Sequence, residues 1–283
     1  MEFHDGFAPL AERYDGFVLD LWGVIHDGVK PYPGAVECLR NLRRAGKRAV
    51  LLSNAPRRAG AAQAAMRAMG IDDDLYDGIL TSGEMTRTLL LQRRDPWFAR
   101  LGTRVFHLGP ERDRNVMDGL DLVEVDTPSR ADFVLNTGPD DHRSPHSIDP
   151  FEATLEACAG LDLPMVCANP DLEVIRGGER VICAGALAAR YVELGGDVRL
   201  VGKPDPTIYA PVLGMLGVPR SQVLAVGDAL RTDIAGAAAS GLAACWVLGG
   251  IHGEALAGDR DAVRAAAADA RLAPVAAIPG FSW

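Results

Sequence analysis

The sequence predicts an α/β fold in which a parallel sheet is covered by helices on both faces. Short apolar runs recur along the chain, and each is followed by a polar or glycine-containing turn and then by a helical stretch. Continuous apolar strands that alternate with helices are typical of parallel sheets buried on both faces. The chain has 283 residues, and at ~100–200 residues per domain this length indicates two domains.

The composition excludes several classes of protein. Hydrophobic residues make up 48% and charged residues 24%, which is an ordinary globular balance and excludes a disordered tail, a collagen-like repeat or a disulfide-stapled mini-domain. The net charge is −9. Proteins that bind nucleic acid or anionic membranes usually carry a basic surface, so we expect neither partner.

The cysteines and the N-terminal residues indicate a compartment. The five cysteines form no CxxC pair, and most lie in apolar runs, such as those around Cys167 and Cys183. This pattern is typical of small buried hydrophobic residues in a reducing cytosol. The segment Met1–Asp5 shows no basic stretch followed by an apolar one, so we expect no secretory signal and a cytoplasmic protein.

The larger unit is predicted from the two ends of the chain, with a helix after each strand. Its last helix is expected to begin at Thr232 as N-cap, with Asp233 in the first turn, where a carboxylate suits the helix dipole. The predicted strands are Phe17–Leu19, Ala49–Leu52, Arg199–Val201, Val223–Val226 and Ala243–Leu248, and the predicted helices are Gly34–Ala45, Ala59–Met69, Pro206–Leu216 and Thr232–Ser240.

The middle of the chain predicts a second, smaller α/β unit. The expected domain boundaries near residues 98 and 198 assign residues 1–98 and 199–283 to the larger unit and 99–198 to an insertion. The proline-rich run Pro139–Pro150 is expected to be an exposed loop. The predicted strands here are Arg104–Leu108, Asp132–Asn136 and Pro164–Ala168, and the predicted helices are Pro150–Ala159 and Gly185–Leu194.

Chemically active side chains follow four of the predicted strands of the larger unit. They are Asp20, the pair Ser53-Asn54, Lys203 and Asp228. Ligands gather at the carboxyl ends of strands in open α/β sheets, so we expect these residues to form one site. An aspartate after an apolar strand is often only a helix cap, but four such groups on four strands are harder to explain by capping alone.

These residue types together fit phosphoryl transfer. Asp20 and Asp228 can hold one hard divalent cation, and Mg²⁺ typically takes one or two carboxylates with waters and phosphate oxygens. A carboxylate can also attack phosphorus and form an aspartyl-phosphate. Ser53 and backbone N–H groups can hold phosphate oxygens, and Lys203 would balance the charge of the nucleophile and the phosphoryl group.

The order of these motifs resembles the haloacid dehalogenase (HAD) superfamily. The motifs are Asp20-Leu21-Trp22-Gly23-Val24, Ser53-Asn54, Gly202-Lys203-Pro204, and Gly227-Asp228 with Thr232-Asp233. The chain is most similar to the NagD-like class IIA branch, in which an α/β cap is inserted between the second and third motifs. The gap of 150 residues between Ser53 and Lys203 matches such an insertion, and Asn169-Pro170-Asp171 resembles an element of these caps.

The resemblance implies a Rossmann-like core with an inserted α/β cap domain of the class IIA type, and a Mg²⁺-dependent phosphatase of small phosphorylated metabolites. It also implies a homodimer. It identifies Asp20 as the nucleophile. From their chemistry and position we expect Ser53 and Lys203 to act with it in catalysis, and Asn54, Arg57 and Asp171 to bind substrate. The implied metal ligands are the carboxylates of Asp20 and Asp228 and the backbone carbonyl of Trp22, supported by Asp233.

One position departs from the family pattern. Phosphatases of this family place an aspartate two residues after the nucleophile, where it protonates the leaving group and then activates water. Here the residue is Trp22, whose indole N–H cannot shuttle a proton. General acid–base catalysis is worth about 10²–10⁴ in rate, so substrates with good leaving groups are expected to be favoured.

Two residues are candidates to replace the missing acid, and each has a structural explanation as well. His26 has a suitable pKa range, but the segment around it also resembles an ordinary turn. Asp171 can reach the leaving group from the cap or can simply cap the turn after Pro170. Arg57 can touch phosphate or begin a solvated helix, and Arg176 with Gly177-Gly178 can form a substrate loop or a plain hairpin.

Two functions remain open from the sequence. The first is a HAD-type hydrolase with weakened acid–base catalysis. The alternative is a low-turnover regulatory module, derived from such a phosphatase, that binds metal and phosphate. A receiver-like phospho-acceptor domain also uses Asp, Ser or Thr and Lys, but such a domain has ~120 residues without an insertion, so the length of this chain opposes it.

Overall fold

The computed structural model describes residues 1–251 and 258–283. Its larger sheet consists of seven parallel strands, which are β1 (Glu2–Phe3), β2 (Gly16–Leu19), β3 (Arg48–Ser53), β4 (Gly78–Thr81), β12 (Val223–Gly227), β13 (Ala243–Val247) and β14 (Ala276–Ile278). Their order across the sheet is β1-β14-β13-β12-β2-β3-β4.

Helices cover both faces of this sheet. Successive side chains of a strand point to opposite faces, and in these strands both sets of side chains are apolar, so each face needs a cover. In β2, Phe17 and Leu19 pack in one apolar cluster and Val18 packs in the other. The first face carries α1 (Ala8–Arg13), α2 (Ala35–Arg44) and α3 (Ala59–Ala68), and the second carries α8 (Tyr209–Leu216), α9 (Ala235–Ala239) and α10 (Arg260–Asp269).

The smaller unit has its own parallel sheet of five strands and an antiparallel hairpin. Its elements are β5 (Arg104–Leu108), β6 (Val123–Val125), β7 (Phe133–Asn136), β8 (Met165–Cys167), β9 (Glu173–Arg176), β10 (Glu179–Ile182), β11 (Val198–Leu200), α4 (Ser82–Gln92), α5 (Pro96–Ala99), α6 (Glu152–Ala159) and α7 (Ala184–Glu193). The sheet has the order β11-β8-β7-β5-β6, and β9 pairs with β10 in the hairpin. Leu155 of α6 and Tyr191 of α7 cover one face of this sheet, and Leu90 of α4 and Phe98 of α5 cover the other.

The predicted fold class is confirmed, and two details of the prediction are wrong. The strand expected at Arg199–Val201 is β11, which pairs with β8 in the smaller sheet and not with the core sheet. The helix expected from Thr232 is preceded by a π-helical turn, Leu230–Ile234, so Thr232 lies within a helical turn and is not its N-cap. The domain boundaries near 98 and 198 stay a prediction, and α5 and β11 each span one of them.

Other parts of the structure agree with the expectations for the loop and the cysteines. No helix or strand is present between Gly138 and Ile148. All five cysteines are buried and free, and burial raises the pKa of the Cys167 thiol to about 12. In residues 1–251 and 258–283, no helix has the length and apolar character needed to cross a membrane.

Candidate active site

The site lies where the strand order of the larger sheet reverses direction. From β2 the chain proceeds to β3 and β4 on one side, whereas β12 leads to β13 and β14 on the other. Crevices at such switch points, at the carboxyl ends of the strands, are the usual ligand sites of open α/β sheets. Asp20 follows β2, and Asp228 follows the adjacent β12, with the Asp20 N–H donating to the Val226 carbonyl at 2.9 Å.

Three carboxylates meet at this crevice. One oxygen each from Asp20, Asp228 and Asp233 lies within 4.8 Å of the others, and all three residues are buried. Asp233 arrives from the π-helical turn that follows β12, and its Oδ2 accepts a hydrogen bond from the Ala229 N–H at 3.1 Å. The prediction that Asp20 and Asp228 converge is therefore confirmed, and Asp233 joins them.

Lys203 provides the positive charge of this cluster. Its Nζ donates to Asp20 Oδ1 at 2.6 Å, to Asp233 Oδ1 at 2.7 Å and to the Leu52 carbonyl at 3.1 Å. Burial alone would lower the pKa of Lys203, but the carboxylates of Asp20 and Asp233 outweigh burial and raise it well above its usual value. Lys203 therefore stays protonated and holds two carboxylates in place.

One ammonium does not balance three buried carboxylates. Burial raises the pKa of Asp20 well above its ordinary value, and the charge of Asp233 adds to this effect. Burial also raises the pKa of Asp228 to about 7, again with a contribution from Asp233. The site therefore favours an additional cation, since a cation would stabilise the ionised form of these groups.

The backbone at Gly23 is shaped to admit the Asp228 carboxylate. Gly23 has a φ of 77°, and a Cβ built on it would lie 1.9 Å from Asp228 Oδ2. The same Oδ2 accepts a hydrogen bond from the Ile251 N–H at 2.7 Å. Glycine is needed here both for the left-handed conformation and for the close approach of a carboxylate.

A cavity opens beside the carboxylates, and we name it the phosphoryl cavity. Trp22 and Asp171 stand on its wall together with the three aspartates. The Trp22 ring lies over Gly28, where a Cβ would come within 2.1 Å of the ring. Its described lining is Asp20, Trp22, Gly23, Tyr32, Asp171, Glu173, Val174, Ile175, Asp228, Ala229, Thr232, Asp233 and Ile251.

Asn54 connects the two units at this cavity. Its Nδ2 donates to Asp171 Oδ1 at 2.9 Å, and its Oδ1 accepts the Lys203 N–H at 2.8 Å. Burial raises the pKa of Asp171, which opposes the lowering effect of Lys203. Ser53 is fully buried, its Oγ accepts the Ala55 N–H at 3.2 Å, and it does not line the phosphoryl cavity.

Arg57 lies away from the three carboxylates, in a neighbouring cavity. Its Nε is 3.4 Å from Oδ1 of Asp113, a buried residue of the smaller unit. Arg112 and Arg176 line the same cavity. Among the residues singled out from the sequence, Arg57 and Arg176 are thus brought together with each other and not with Asp20.

His26 is packed in a way that does not suit a proton donor. Its ring lies edge-on to the Trp22 ring with centroids 5.3 Å apart, and its Nδ1 accepts a hydrogen bond from the Gly28 N–H at 3.1 Å. Burial lowers the pKa of His26 to about 4, so the imidazole is neutral near pH 7. Of the two candidates for the missing acid, Asp171 is the one that lines the cavity.

Sequence reasoning missed three residues of the site. Arg231 donates to the Pro170 carbonyl and ties the cap loop to the core. Arg231 lies in the sequence between Asp228 and Thr232, within the fourth motif, and this position could have indicated that it belongs to the site. Arg112 and Asp113 belong to the charged run Glu111–Arg114, which looks like a solvated surface in the sequence, and only the fold turns Asp113 inward.

Comparisons with known proteins agree with this geometry. A family model described as haloacid dehalogenase-like hydrolase matches residues 17–123, and a second, described as HAD-hydrolase-like, matches residues 200–274. Human chronophin is 32% identical over 233 residues, which cover 78% of this chain and 77% of chronophin.

Two further relatives extend the match to nearly the whole chain. Ribonucleotide monophosphatase NagD of Escherichia coli is 27% identical over 240 residues, covering 83% of this chain and 87% of NagD. The crystal structure of a haloacid dehalogenase-like hydrolase from Brucella suis is 33% identical, with a TM-score of 0.83, and covers 98% of this chain and 99% of the other. The chain therefore belongs to the haloacid dehalogenase superfamily of hydrolases, in its NagD-like class IIA branch.

Proposed function

We propose that this protein is a Mg²⁺-dependent phosphatase of small phosphorylated metabolites that works through an aspartyl-phosphate on Asp20. One observation carries the proposal. One oxygen each from Asp20, Asp228 and Asp233 lies within 4.8 Å of the others beside an open cavity, and among the described residues Lys203 is the one cation that pairs with this cluster. The families of the matched relatives support hydrolase chemistry.

The donor set fits a hard divalent cation. With all groups ionised, three carboxylates and one ammonium leave a charge deficit that one divalent cation offsets. Within the described part of the chain, Asp20 Oδ2 and Asp228 Oδ1 accept no hydrogen bond and are free to bind a metal, whereas both oxygens of Asp233 are engaged. Asp20, Asp228 and the Trp22 carbonyl would hold Mg²⁺, and Asp233 would act in support.

The first chemical step belongs to Asp20. Its carboxylate attacks the phosphorus, so that an Asp20–phosphorus bond forms and the bond to the leaving oxygen breaks. When bound, Mg²⁺ supplies positive charge to the phosphoryl oxygens. Lys203 fixes the orientation of Asp20 and balances its charge.

The leaving oxygen needs a proton, and Trp22 cannot supply it. Asp171 and Glu173 are carboxyl groups of the smaller unit that line the cavity, and Glu173 pairs with Arg180. Burial raises the pKa of Asp171, which favours the protonated form that a general acid requires. Because Asp171 Oδ1 is tied to Asn54, we propose that Asp171 is a weak substitute for the family aspartate. Water then attacks the phosphorus and gives a proton to the Asp171 carboxylate, the Asp20–phosphorus bond breaks, and inorganic phosphate leaves.

Turnover across leaving groups of graded pKa tests the proposal. We expect Mg²⁺-dependent hydrolysis that is fastest for acyl and aryl phosphates and slow for alkyl phosphates. Asp20→Asn should abolish it, while Asp15→Asn, a change at an exposed aspartate, should not. Asp171→Asn should slow alkyl phosphates more than aryl phosphates. Equal rates in EDTA would exclude the role of the metal.

Incubation with acetyl phosphate distinguishes an enzyme from a regulatory module. Rapid multiple turnover indicates a phosphatase. A phosphoryl adduct that persists on Asp20 in a mass spectrum indicates a protein that is phosphorylated but hydrolyses the adduct slowly. The same measurement on Asp20→Asn controls for phosphorylation elsewhere.

A further inference from the structure

A second cavity adjoins the phosphoryl cavity, and we name it the arginine cavity. Trp22, Asp171 and Val174 line both cavities, so the two spaces share a wall. The arginine cavity is further enclosed by Arg57, Arg112, Asp113, Arg176 and Val181. The arginine cavity therefore offers space for the leaving group of a substrate whose phosphoryl group lies beside Asp20.

The charges around the arginine cavity are mainly positive. Three guanidinium groups, those of Arg57, Arg112 and Arg176, line it together with two carboxyl groups, those of Asp113 and Asp171. Burial raises the pKa of both carboxyl groups, which favours their neutral form. Arg112 also pairs with Asp141 at 2.8 Å on the outer side. Within residues 1–251 and 258–283, Arg176 has no salt bridge, which leaves its charge available to a ligand.

The inner pair is incompletely satisfied. Arg57 Nε and Asp113 Oδ1 are 3.4 Å apart, and both atoms are buried without a hydrogen-bond partner in the described structure. Buried polar atoms without partners are costly and uncommon in proteins. An anion that binds the Arg57 guanidinium from the cavity would compensate part of this cost.

The hairpin of β9 and β10 places Arg176 over the cavity from the smaller unit. At its turn, a Cβ built on Gly177 would lie 3.6 Å from Val29 Cγ2, so the hairpin reaches a loop of the larger unit. Arg57 comes from the larger unit and Arg176 from the hairpin, and a ligand between them contacts both. Trp22, Val174 and Val181 supply apolar walls for the rest of the leaving group.

We propose that the leaving group of the natural substrate carries a second anionic group, a carboxylate or a second phosphoryl group, which Arg57 and Arg176 bind in the arginine cavity. This inference rests on the proposed function, because it uses the phosphoryl position beside Asp20. If Arg57 and Arg176 bind this group, the protein selects substrates by the charge of their leaving group. Leaving groups that carry an ammonium at this position are then excluded.

Binding of unreactive phosphonates tests the inference without turnover. Isothermal titration calorimetry on the full chain with Mg²⁺ compares propylphosphonate with 3-phosphonopropionate, which have similar length and differ by one carboxylate. We expect the carboxylated compound to bind about tenfold or more tightly, as a charge-assisted contact provides. Phosphonoacetate and 4-phosphonobutyrate vary the distance between the phosphonate and the carboxylate. Propane-1,3-bisphosphonate tests a second phosphoryl group in place of the carboxylate.

Two variants assign the preference to the arginines. Arg176→Gln should reduce the ratio of the two dissociation constants to near one, and Arg57→Gln should do the same. Arg180→Gln is the matched control, because Arg180 lies on the same hairpin but pairs with Glu173 and does not line the cavity. This control should keep the full preference. Thermal unfolding of each variant verifies that it folds.

The outcomes separate this inference from the proposed function. A preference for the carboxylate or for the bisphosphonate, lost in Arg176→Gln, supports it and identifies the second group. Equal dissociation constants across all chain lengths, or a preference that survives in both arginine variants, overturn it and leave the phosphatase proposal standing. Failure of every phosphonate to bind with Mg²⁺ contradicts the proposed function itself.

Discussion

Lys203 Nζ lies 2.6 Å from Asp20 Oδ1, although the two residues are 183 positions apart in the sequence. The same ammonium contacts Asp233 and the carbonyl at Leu52, so one side chain joins three segments of the larger unit. Lys203 thereby ties the position of the proposed nucleophile to the chain that returns from the smaller unit.

Removal of the Lys203 charge should destabilise the protein and stop catalysis. Lys203→Met leaves Asp20 and Asp233 buried without their partner, which typically costs about 3–5 kcal/mol. The loss should be larger at pH 8 than at pH 5, because the Asp20 carboxyl, whose pKa burial raises, becomes protonated and neutral at low pH.

Urea unfolding in EDTA at the two pH values measures the effect. Lys47→Met is the control. In the part of the chain that the structure describes, Lys47 forms its one salt bridge with the exposed Asp15, so this substitution should cost less than about 1 kcal/mol at either pH. A deficit for Lys203→Met that does not change with pH would contradict the account of this cluster.

The affinity for Mg²⁺ should depend on pH through Asp228. Burial and Asp233 raise the pKa of Asp228 to about 7, so below that pH a proton competes with the metal. We expect the apparent affinity, measured by calorimetry, to fall about tenfold per pH unit below 7 and to be nearly constant above it.

The stability of the metal-free protein should follow the opposite trend. Because the folded-state pKa of Asp228 lies above its unfolded value, the folded state retains a proton that the unfolded chain releases. This contribution to the free energy of unfolding is full at low pH and is lost as pH rises from about 4 to about 7. Asp228→Asn should lose Mg²⁺ binding and should show a weaker pH dependence of stability, because the raised pKa of Asp20 still contributes. A variant with unchanged Mg²⁺ binding or an unchanged pH dependence would count against the assignment.

A methyl group at Gly23 should disrupt the metal site selectively. The added Cβ of Gly23→Ala would lie 1.9 Å from Asp228 Oδ2, so the carboxylate must move. Gly46→Ala is a matched control, because Gly46 has a similar φ of 69° but no heavy atom within 4 Å of the added Cβ. Both variants should lose about 1 kcal/mol of stability from backbone strain, and only Gly23→Ala should weaken Mg²⁺ binding by tenfold or more.

Restoration of an acid at position 22 should change the range of substrates. Trp22→Asp supplies the missing proton donor, and we expect hydrolysis of alkyl phosphates to rise about 10²-fold. The rates for acyl and aryl phosphates should change much less, because their leaving groups need less protonation. Trp22→Phe controls for loss of the indole. If a folded Trp22→Asp gained no alkyl phosphatase activity, the acid at this position would not be the limiting defect.

Strand ends were predictable from the sequence because each strand is a short, continuous apolar run and the polar residue that follows marks its end. Asp20, Asn54 and Asp228 were therefore expected at one edge of the sheet, and the structure brings them there. The run Arg199–Val201 shows why the prediction has a limit. Three residues indicate a strand but not the sheet it joins, and β11 pairs with β8 of the smaller sheet.

Contacts between the two units were not predictable, because they depend on how the smaller unit lies over the larger. Arg57 was expected near phosphate, and the structure places it against Asp113 instead. No local pattern distinguishes Asp113 from the solvated charges around it, and its burial follows from packing alone. His26 had a suitable intrinsic pKa, and only its burial against Trp22 lowers that pKa to about 4.

The central claim is that the carboxylates of Asp20 and Asp228, which are distant in the sequence, hold one Mg²⁺ beside the phosphoryl group that Asp20 attacks. A crystal structure tests this claim most directly. Crystals of the full chain grown with Mg²⁺ and a phosphate mimic should show the ion bound by Asp20, Asp228 and the Trp22 carbonyl at about 2.0–2.1 Å, with the mimic against Asp20. A structure in which the mimic lies elsewhere, or in which Asp20 and Asp228 share no ion at saturating Mg²⁺, would contradict the account.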